Sequence, residues 1–415
     1  MAELNYKATV RACYMSYISH AVIINLPPLL FVLLSNRYGI NLERLGRLVL
    51  INFVTQLIVD GLAARLADRV GYRRCLLAAH MLAGAGLIAF GLLPQILPPG
   101  QIYGGLCAAT IVFSIGGGLI EVLVSPVVNR LAGHLGAGSM TLLHSFYCWG
   151  QVLTVLFSTI ALHWLPEQLW YLLPLCWAVL PFATMGGFAK APLAEPDATE
   201  TGVVFKQLLR NRKFWLVFGI MAFAGAAEST MAQWASLFAE WGIGVEKLWG
   251  DLLGSCLFAL CMAVIRMFYG RFERRFPLRP FLLCGGAACV LCYLTAALSG
   301  NPRLALAACA LTGVAVSLMW PGTLHRSAEQ FPGGGTALFG LLALGGDVGC
   351  SVGPWLLGLV AERGKSVSFG TMQNLPALQR GLRLGLLVGA AFPLGFLICM
   401  LAGRSPKKKG AVQDA

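Results

Sequence analysis

Glu121 lies near the middle of residues 100–128, a segment long and apolar enough to cross a bilayer. An ionised carboxylate at bilayer depth costs about 2.5–3.5 kcal/mol on insertion scales, so acids at this depth usually face a cavity or a partner. Ser114, Gly117 and Ser125 recur with Glu121 at spacings of three or four residues, which places a small and polar stripe on one helix face. We therefore expect this face to contact water.

The chemistry open to Glu121 is proton binding. No Lys or Arg is expected at its depth, because Arg266 is predicted near the cytoplasmic end of its helix and Arg383 near the outer end of another. Burial without a cationic partner favours the protonated form of a carboxyl group. Glu121 is therefore the predicted proton-coupling residue. A bound anion would also lack a counter-ion, so organic phosphates and dicarboxylates are disfavoured as ligands.

A second set of polar and aromatic side chains is expected at a similar depth. His144, Tyr147 and Gln151 follow helical spacing and form one polar stripe. Glu228 and Gln233 are about 140° apart on an ideal helix, so they share a face only if that helix breaks between them. The predicted substrate-binding residues are Asn25, His144, Tyr147, Gln151, Glu228, Gln233, Trp234 and Trp320.

Structural roles remain open for three of these residues. Asn25 precedes Pro27 and Pro28, which remove backbone donors and are expected to kink the first helix. Its amide either faces a cavity or bonds to carbonyls freed at the kink. Trp320 offers either an aromatic plane for a solute or a packing surface. His144, near a helix end, is either a ligand or a structural residue.

The composition indicates that the elements carrying these residues lie in a membrane. The 415-residue chain is 57% hydrophobic and only 12% charged, with mean hydropathy +0.73, whereas about a quarter of a soluble domain is charged. A polytopic, all-α membrane protein is therefore predicted. Twelve apolar runs of about 20 residues are candidate transmembrane helices. They cover residues 10–34, 43–64, 74–96, 100–128, 138–163, 168–189, 212–240, 247–269, 279–299, 302–324, 334–361 and 380–403.

The net charge of +13 is distributed as a topology signal rather than as a surface for nucleic acid. Basic residues concentrate on alternate connections, which the positive-inside rule assigns to the cytoplasm; Arg37, Arg44, Arg47, Arg363 and Lys365 are exceptions. We expect a multi-pass protein of a cell membrane, the plasma or bacterial inner membrane, with both termini in the cytoplasm. No nucleic acid is expected among its partners.

The chain is predicted to contain two similar six-helix halves. Residues 65–74, between the second and third spans, and residues 271–280, between the eighth and ninth, carry arginines at three matching positions. The predicted division is an N-terminal bundle (1–189), a cytoplasmic linker (190–211), a C-terminal bundle (212–403) and a basic cytoplasmic tail (404–415).

Two sequence motifs resemble those of known membrane proteins. Residues 64–74, Ala-Arg-Leu-Ala-Asp-Arg-Val-Gly-Tyr-Arg-Arg, resemble the major facilitator superfamily signature G-x-L-A-D-R-x-G-R-R, with Ala64 in place of its first Gly. Residues 120–126, Ile-Glu-Val-Leu-Val-Ser-Pro, resemble the helix 4 motif L-E-T-A-A-N-P of the fucose permease branch, with Ser125 in place of Asn. The resemblance implies the major facilitator fold, in which twelve helices form two pseudo-symmetric halves around a midplane cavity.

The resemblance also implies gating residues at the cytoplasmic side. In the superfamily the acid that matches Asp68 acts as a latch between neighbouring helix ends, and Arg69, Arg73 and Arg74 would anchor the same side. We add Asp347 to the predicted gating residues, because it lies among glycines of the eleventh span and either ties that helix to the gate or lines the cavity. The fucose permeases carry an essential acid on helix 1, which this chain lacks.

The favoured function is secondary active transport of a small, neutral, hydroxyl-rich solute such as a sugar or polyol, by alternating access with protons as the coupling ion. A proton-driven exporter of lipophilic compounds is the alternative, which the polar stripes disfavour. A polytopic membrane enzyme is less favoured, because the spans contain no HExxH or paired-acid motif. The thirteen cysteines show no metal-ligand pattern, so neither metal nor cofactor is expected. We expect a monomer in the lipid bilayer.

Overall fold

The computed structural model describes residues 6–135, 139–193, 207–272, 277–331, 335–367 and 375–403, and for some of these, including 64–69, the backbone alone. This part of the chain is almost entirely helical and contains no β-strand. Eleven of its helices are long and apolar enough to cross a membrane, and a bent pair of helices forms a twelfth span if it is counted as one. The predicted all-α, twelve-span fold is confirmed.

Six helical spans make up the N-terminal half. The first, α1, consists of Lys7–Leu29 and Phe31–Tyr38, and it is followed by α2 (Leu42–Val70), α3 (Tyr72–Ile96), α4 (Ile102–Leu135), α5 (Ser139–Trp164) and α6 (Leu172–Lys190). Their order follows the predicted spans. The helix α4 extends beyond its predicted end at residue 128, so Glu121 lies near its middle.

The C-terminal half repeats this arrangement with more irregular helices. Its spans are α7 (Arg212–Leu237 with the π-helical turn Phe238–Gly242), α8 (Lys247–Gly250, the π-helical segment Asp251–Cys256, and Leu257–Phe272), α9 (Leu278–Leu298), α10 (Pro302–Val316 and Met319–Gln330), α11 (Gly335–Gly364) and α12 (Ala377–Gly389 and Ala391–Ala402). The predicted linker 190–211 and tail 404–415 fall largely outside the described residues. The division into domains therefore stays a prediction.

The proline pair of α1 produces the predicted kink. Pro27 and Pro28 lie in the last turn of the first α1 helix, and the two helices of this span are bent by 44°. Prolines cannot donate to the carbonyls one turn earlier, so the helical ladder is interrupted there. The Leu30 amide closes the break by donating to the Pro27 carbonyl at 3.0 Å.

The two halves pack together at the end where α1 ends and α2 begins, which is the predicted exterior end. A Cβ atom on Gly46 of α2 would lie 3.2 Å from the Pro354 carbonyl of α11, so these backbones approach closely. The Leu42 amide donates to a Glu362 carboxylate oxygen at 3.0 Å. Together these contacts close the α2–α11 seam at this end.

A second link between the halves lies nearby, between α5 and α8. The Thr159 hydroxyl donates to the fully buried Asp251 carboxylate at 3.0 Å, and the Lys247 ammonium lies 3.1 Å from the same carboxylate. A buried charge needs such partners to offset its desolvation. The predicted exterior end is therefore held closed by polar bonds as well as by packing.

Candidate functional site

Glu121 is partly accessible to solvent in the middle of the bundle. Its side chain is 35% exposed, and one carboxylate oxygen lies 3.7 Å from Nε2 of His20 on α1. The His20 ring is buried, and neither of its nitrogens has a hydrogen-bond partner in the described part of the chain, although Gln56 lies nearby. The predicted acid thus faces an opening and a histidine that the sequence interpretation did not select.

Close packing of α5 against α1 brings further side chains to Glu121. A Cβ atom on Gly150 would lie 2.8 Å from that of Ala21, so only glycine allows these helices to approach so closely. As a result, the rings of His20 and Tyr147 meet edge to face with centroids 5.8 Å apart. The predicted ligand Tyr147 is therefore placed beside Glu121 through His20.

Tyr17, one helical turn before His20, connects α1 to both α4 and α5. Its hydroxyl is 2.7 Å from the Ser125 hydroxyl, and its ring meets the exposed His144 ring edge to face at 5.4 Å. We call the following six residues the Glu121 cluster: Tyr17, His20, Glu121, Ser125, His144 and Tyr147. The cluster offers hydroxyl and imidazole groups for hydrogen bonds and aromatic faces for apolar contact.

The second mid-span acid, Glu228 on α7, is neutralised by a cation. Arg266 Nη2 donates to both carboxylate oxygens of Glu228, at 3.1 and 3.0 Å. The expectation that no Lys or Arg reaches this depth is therefore wrong. Arg266 starts nearer the predicted cytoplasmic end of α8, but its long side chain carries the guanidinium group to the middle of the bundle.

The other donors of Arg266 are also occupied. Its Nε donates at 2.9 Å to the carbonyl of Ser317, which lies where α10 is interrupted between Val316 and Met319. Its Nη1 donates at 3.2 Å to the sulfur of Cys148 on α5. The guanidinium thus bridges the two halves, and Cys148 follows Tyr147 of the Glu121 cluster directly in sequence.

Three of the predicted amide ligands are more deeply buried than the Glu121 cluster. Asn25, Gln151 and Gln233 are each 5% exposed or less. Asn25 donates to the Ala21 carbonyl at 2.8 Å, as in the structural alternative, and its side chain also lies beside Tyr147. The structure therefore brings Asn25 next to the cluster.

The two predicted tryptophan ligands both have packing contacts. Trp234 is fully buried, donates to the Pro354 carbonyl at 2.9 Å and packs against Phe31 at the closed exterior end. The structure does not bring it to the Glu121 cluster. Trp320 is half-buried, and its ring covers Gly346 so closely that a Cβ atom there would lie 2.1 Å from it. Its ring therefore packs α10 against α11.

The predicted gating residues do not form one group. The side chains of Asp68 and Arg69 lie outside the described residues. Arg73 donates to the carbonyls of Phe188, Ala189 and Ala191, and so binds the end of α6 in its own half, whereas Arg74 is exposed. Asp347 is buried in the middle of the bundle rather than at the predicted gate.

The polar stripe on α4 is accessible to solvent only in the part nearer the C-terminal end of this helix. Ser114 is fully buried and donates to the Asn52 side chain at 2.6 Å, and Gly117 packs against Gln56 of α2. Glu121 and Ser125 alone of this stripe are partly exposed. The spacing correctly predicted a shared face, but α2 covers half of it.

Sequence reasoning missed His20, Tyr17 and Arg266. The three-residue spacing of Tyr17 and His20 on an apolar helix was a readable signal of a shared face. Arg266 carried a weaker signal, because its position near the predicted cytoplasmic end of α8 does not show that its side chain extends to the middle of the bundle. Within the described residues, no group of three His, Cys, Asp or Glu side chains is arranged to hold a metal ion.

Known structures share the arrangement of these helices. The xylose transporter XylE from E. coli, in a partially occluded inward-open conformation, is 12% identical over 97% of this chain and 98% of its own, with a TM-score of 0.75. The nucleoside transporter NupG is 12% identical over 95% and 98%, with a TM-score of 0.72. The E. coli fucose:proton symporter FucP is 15% identical over 97% and 100%, with a TM-score of 0.63.

At these identities the similarity is one of fold. A comparison with curated protein sequences finds no match. The family assignment comes from the sequence itself, because the family model described as Major Facilitator Superfamily matches residues 13–354, most of the chain and both halves. The chain belongs to the Major Facilitator Superfamily and is a multi-pass membrane transporter.

Proposed function

We propose that this protein is a proton-coupled secondary transporter of a small, neutral, hydroxyl-rich solute. The observation that carries the proposal is the partly exposed carboxyl group of Glu121 beside buried His20, without an Arg or Lys partner among the described residues. A carboxyl group in this position can gain and lose a proton as its surroundings change. Glu228 cannot do so as readily, since Arg266 holds it as an ion pair.

The chemistry of the cluster favours a neutral solute. Ser125, His144 and Tyr147 supply hydrogen-bonding groups and aromatic edges, and the nearby Arg266 charge is already satisfied by Glu228. An anionic solute would have to compete with Glu228 for Arg266, and a lipophilic solute would leave these polar groups unpaired. The names of the similar structures refer to xylose, fucose and nucleosides, all of which are hydroxyl-bearing compounds.

The access path follows from where the halves meet. They are bonded at the predicted exterior end by Leu42 with Glu362 and by Thr159 with Asp251, whereas His144, towards the opposite end, is exposed. We take this arrangement as the inward-facing state, with termini and basic connections in the cytoplasm. Transport then requires the exterior bonds to open while the cytoplasmic ends close.

The test uses purified protein in proteoliposomes and a panel of labelled sugars and polyols, with and without a pH gradient. We expect wild-type protein to accumulate at least one solute when the gradient is applied. Glu121→Gln mimics the protonated acid permanently, so it should still exchange solute across the membrane but should no longer accumulate it. Glu167→Gln, the same change at an exposed acid, is the matched control and should behave as wild type.

Two results would contradict the proposal. Gradient-driven accumulation by Glu121→Gln would remove the proton role of this residue. A wild-type protein that moves no neutral solute but expels lipophilic dyes in response to the gradient would replace the proposed function with that of an exporter.

A further inference from the structure

A polar stripe on α2 faces α4. Asn52, Gln56 and Asp60 are spaced four residues apart, and Asn52 Oδ1 accepts hydrogen bonds from Gln56 Nε2 at 2.7 Å and from Ser114 at 2.6 Å. The polar side chains of this stripe fit between α2 and α4 because α4 carries a glycine opposite them. A Cβ atom on Gly118 would lie 3.2 Å from Asp60 Oδ1. The sequence interpretation did not select this stripe, and the Glu121 cluster does not include it.

Asp60 meets an acid from the other half of the protein. Its carboxyl group lies within hydrogen-bonding reach of the carboxyl group of Asp347 on α11, which is 5% exposed. The second oxygen of each, Asp60 Oδ1 and Asp347 Oδ2, is buried and has no hydrogen-bond partner in the described part of the chain. Neither carboxyl group forms an ion pair with a described basic residue.

Two carboxylates within hydrogen-bonding reach of each other cannot both carry a charge in a buried site, because their repulsion is not screened by water. One proton shared between them removes the repulsion and supplies the donor for a hydrogen bond between the acids. We propose that Asp60 and Asp347 bind one proton between them and so form a proton site that joins the two halves of the transporter.

The side chains around Asp60 and Asp347 favour binding of the shared proton. Glu121 of α4 acts on both carboxyl groups, Tyr17 of α1 lies near Asp60, and Cys350 of α11 lies near Asp347. From α7, which packs on α11, Glu228 acts on Cys350. Tyr17 and Cys350 are neutral, and the charge of Glu228 is balanced by Arg266. Glu121 is therefore the neighbour that adds to the cost of a second negative charge at the pair.

This inference deepens the proposed function and rests on it for its consequence in transport. Loss of the shared proton would leave two negative charges on α2 and α11, the helices that close the exterior end. Proton binding at the pair therefore stabilises the arrangement seen in this structure, and its release favours separation of the halves. The presence of the proton itself can be measured without any solute.

The test is infrared spectroscopy of the reconstituted protein at pH 7, read at the carbonyl stretch of protonated carboxyl groups. We expect this band in wild type and in Glu167→Gln, the matched control at an exposed acid. It should be lost in the double variant Asp60→Asn/Asp347→Asn. In each single variant it should fall to less than half, because the remaining carboxylate can accept a hydrogen bond from the new amide.

Asn has nearly the shape of a protonated Asp, so each variant should fold; an unchanged melting temperature checks this. Three results would overturn the shared proton: absence of the band in wild type, a band unchanged in the double variant, or a band of full intensity in both single variants. The last would mean that each acid is protonated independently. None of these results depends on solute transport, whereas retained accumulation by Glu121→Gln would count against the proposed function alone.

Discussion

Glu121 and Glu228 are the same kind of residue near the middle of helices α4 and α7, one in each half, yet their surroundings differ. Glu228 is bound through both oxygens by Arg266, and the two side chains are 18% and 19% exposed. Glu121 is 35% exposed, and the imidazole of His20 lies 3.7 Å from its carboxylate. A bidentate ion pair with an arginine keeps a carboxylate charged. A partly exposed carboxyl group beside an imidazole can instead exchange a proton, which is the role proposed for Glu121.

The difference shows that depth in the membrane does not by itself assign a role to an acid. Arg266 makes four hydrogen bonds to three residues, one each from α5, α7 and α10, so the Glu228 pair holds several helices in register across the two halves. Glu121 holds few such bonds. The predictions below test whether one acid is structural and the other functional.

The largest effect is expected from Arg266→Ala. The change leaves Glu228 as an uncompensated charge in a largely buried site, which costs about 3–5 kcal/mol. We therefore expect a marked fall in melting temperature in detergent and loss of transport. Arg266→Lys keeps the charge but cannot make the same set of bonds, so its melting temperature should lie between those of wild type and Arg266→Ala. An unchanged melting temperature for Arg266→Ala would show that the ion pair does not stabilise the fold.

A second change should recover part of this loss. Glu228→Gln in the Arg266→Ala background removes the unpaired charge, and we expect about 1–3 kcal/mol of stability to return. The same substitution alone should destabilise the protein, because it breaks the pair from the other side. The four proteins form a double-mutant cycle in thermal unfolding. Additive losses would mean that the two residues act independently, against the contacts described here.

Local features of the sequence predicted the fold well. Apolar runs give the twelve spans, and Pro27 with Pro28 gives the kink of α1, because hydropathy and a missing amide donor act within one helix. The exposure of Glu121 also followed from its small and polar neighbours. Each of these predictions needed only one helix.

The features that failed involve contacts between helices. Arg266 and Glu228 are far apart in sequence, and only the crossing of α7 and α8 brings them together. Asp60 follows Asn52 and Gln56 at a readable spacing, but nothing in α2 alone indicates that Asp347 lies opposite. Trp234 has the residue type expected in a sugar site, yet the α2–α11 seam buries it completely.

A smaller effect on stability, of opposite sign, is expected from His20→Phe. Both nitrogens of the buried imidazole are without partners among the described residues, so an apolar ring of similar size removes an unsatisfied polar group. Such a replacement is worth about 1–3 kcal/mol at most, and the melting temperature should stay the same or rise. Gradient-driven accumulation should fall several-fold, because Glu121 loses the imidazole that lies 3.7 Å from its carboxylate.

His163→Phe, at an exposed position near the end of α5, is the matched control and should change neither quantity. If His20→Phe lowers the melting temperature and leaves accumulation intact, His20 is a structural residue. In that case the contrast between Glu121 and Glu228 would depend on exposure alone.

The smallest effect is expected from Tyr17→Phe. The change removes the 2.7 Å bond between Tyr17 and the Ser125 hydroxyl but keeps the ring contacts with His20 and His144. A single neutral hydrogen bond contributes about 0.5–1.5 kcal/mol, so the melting temperature should fall by only a few degrees. Ser125→Ala should cause a similar loss, and the double variant should lose no more than the larger single loss, because both remove the same bond. If the losses add in full, the two hydroxyls have separate partners, and Tyr17 does not link α1 to the helix that carries Glu121.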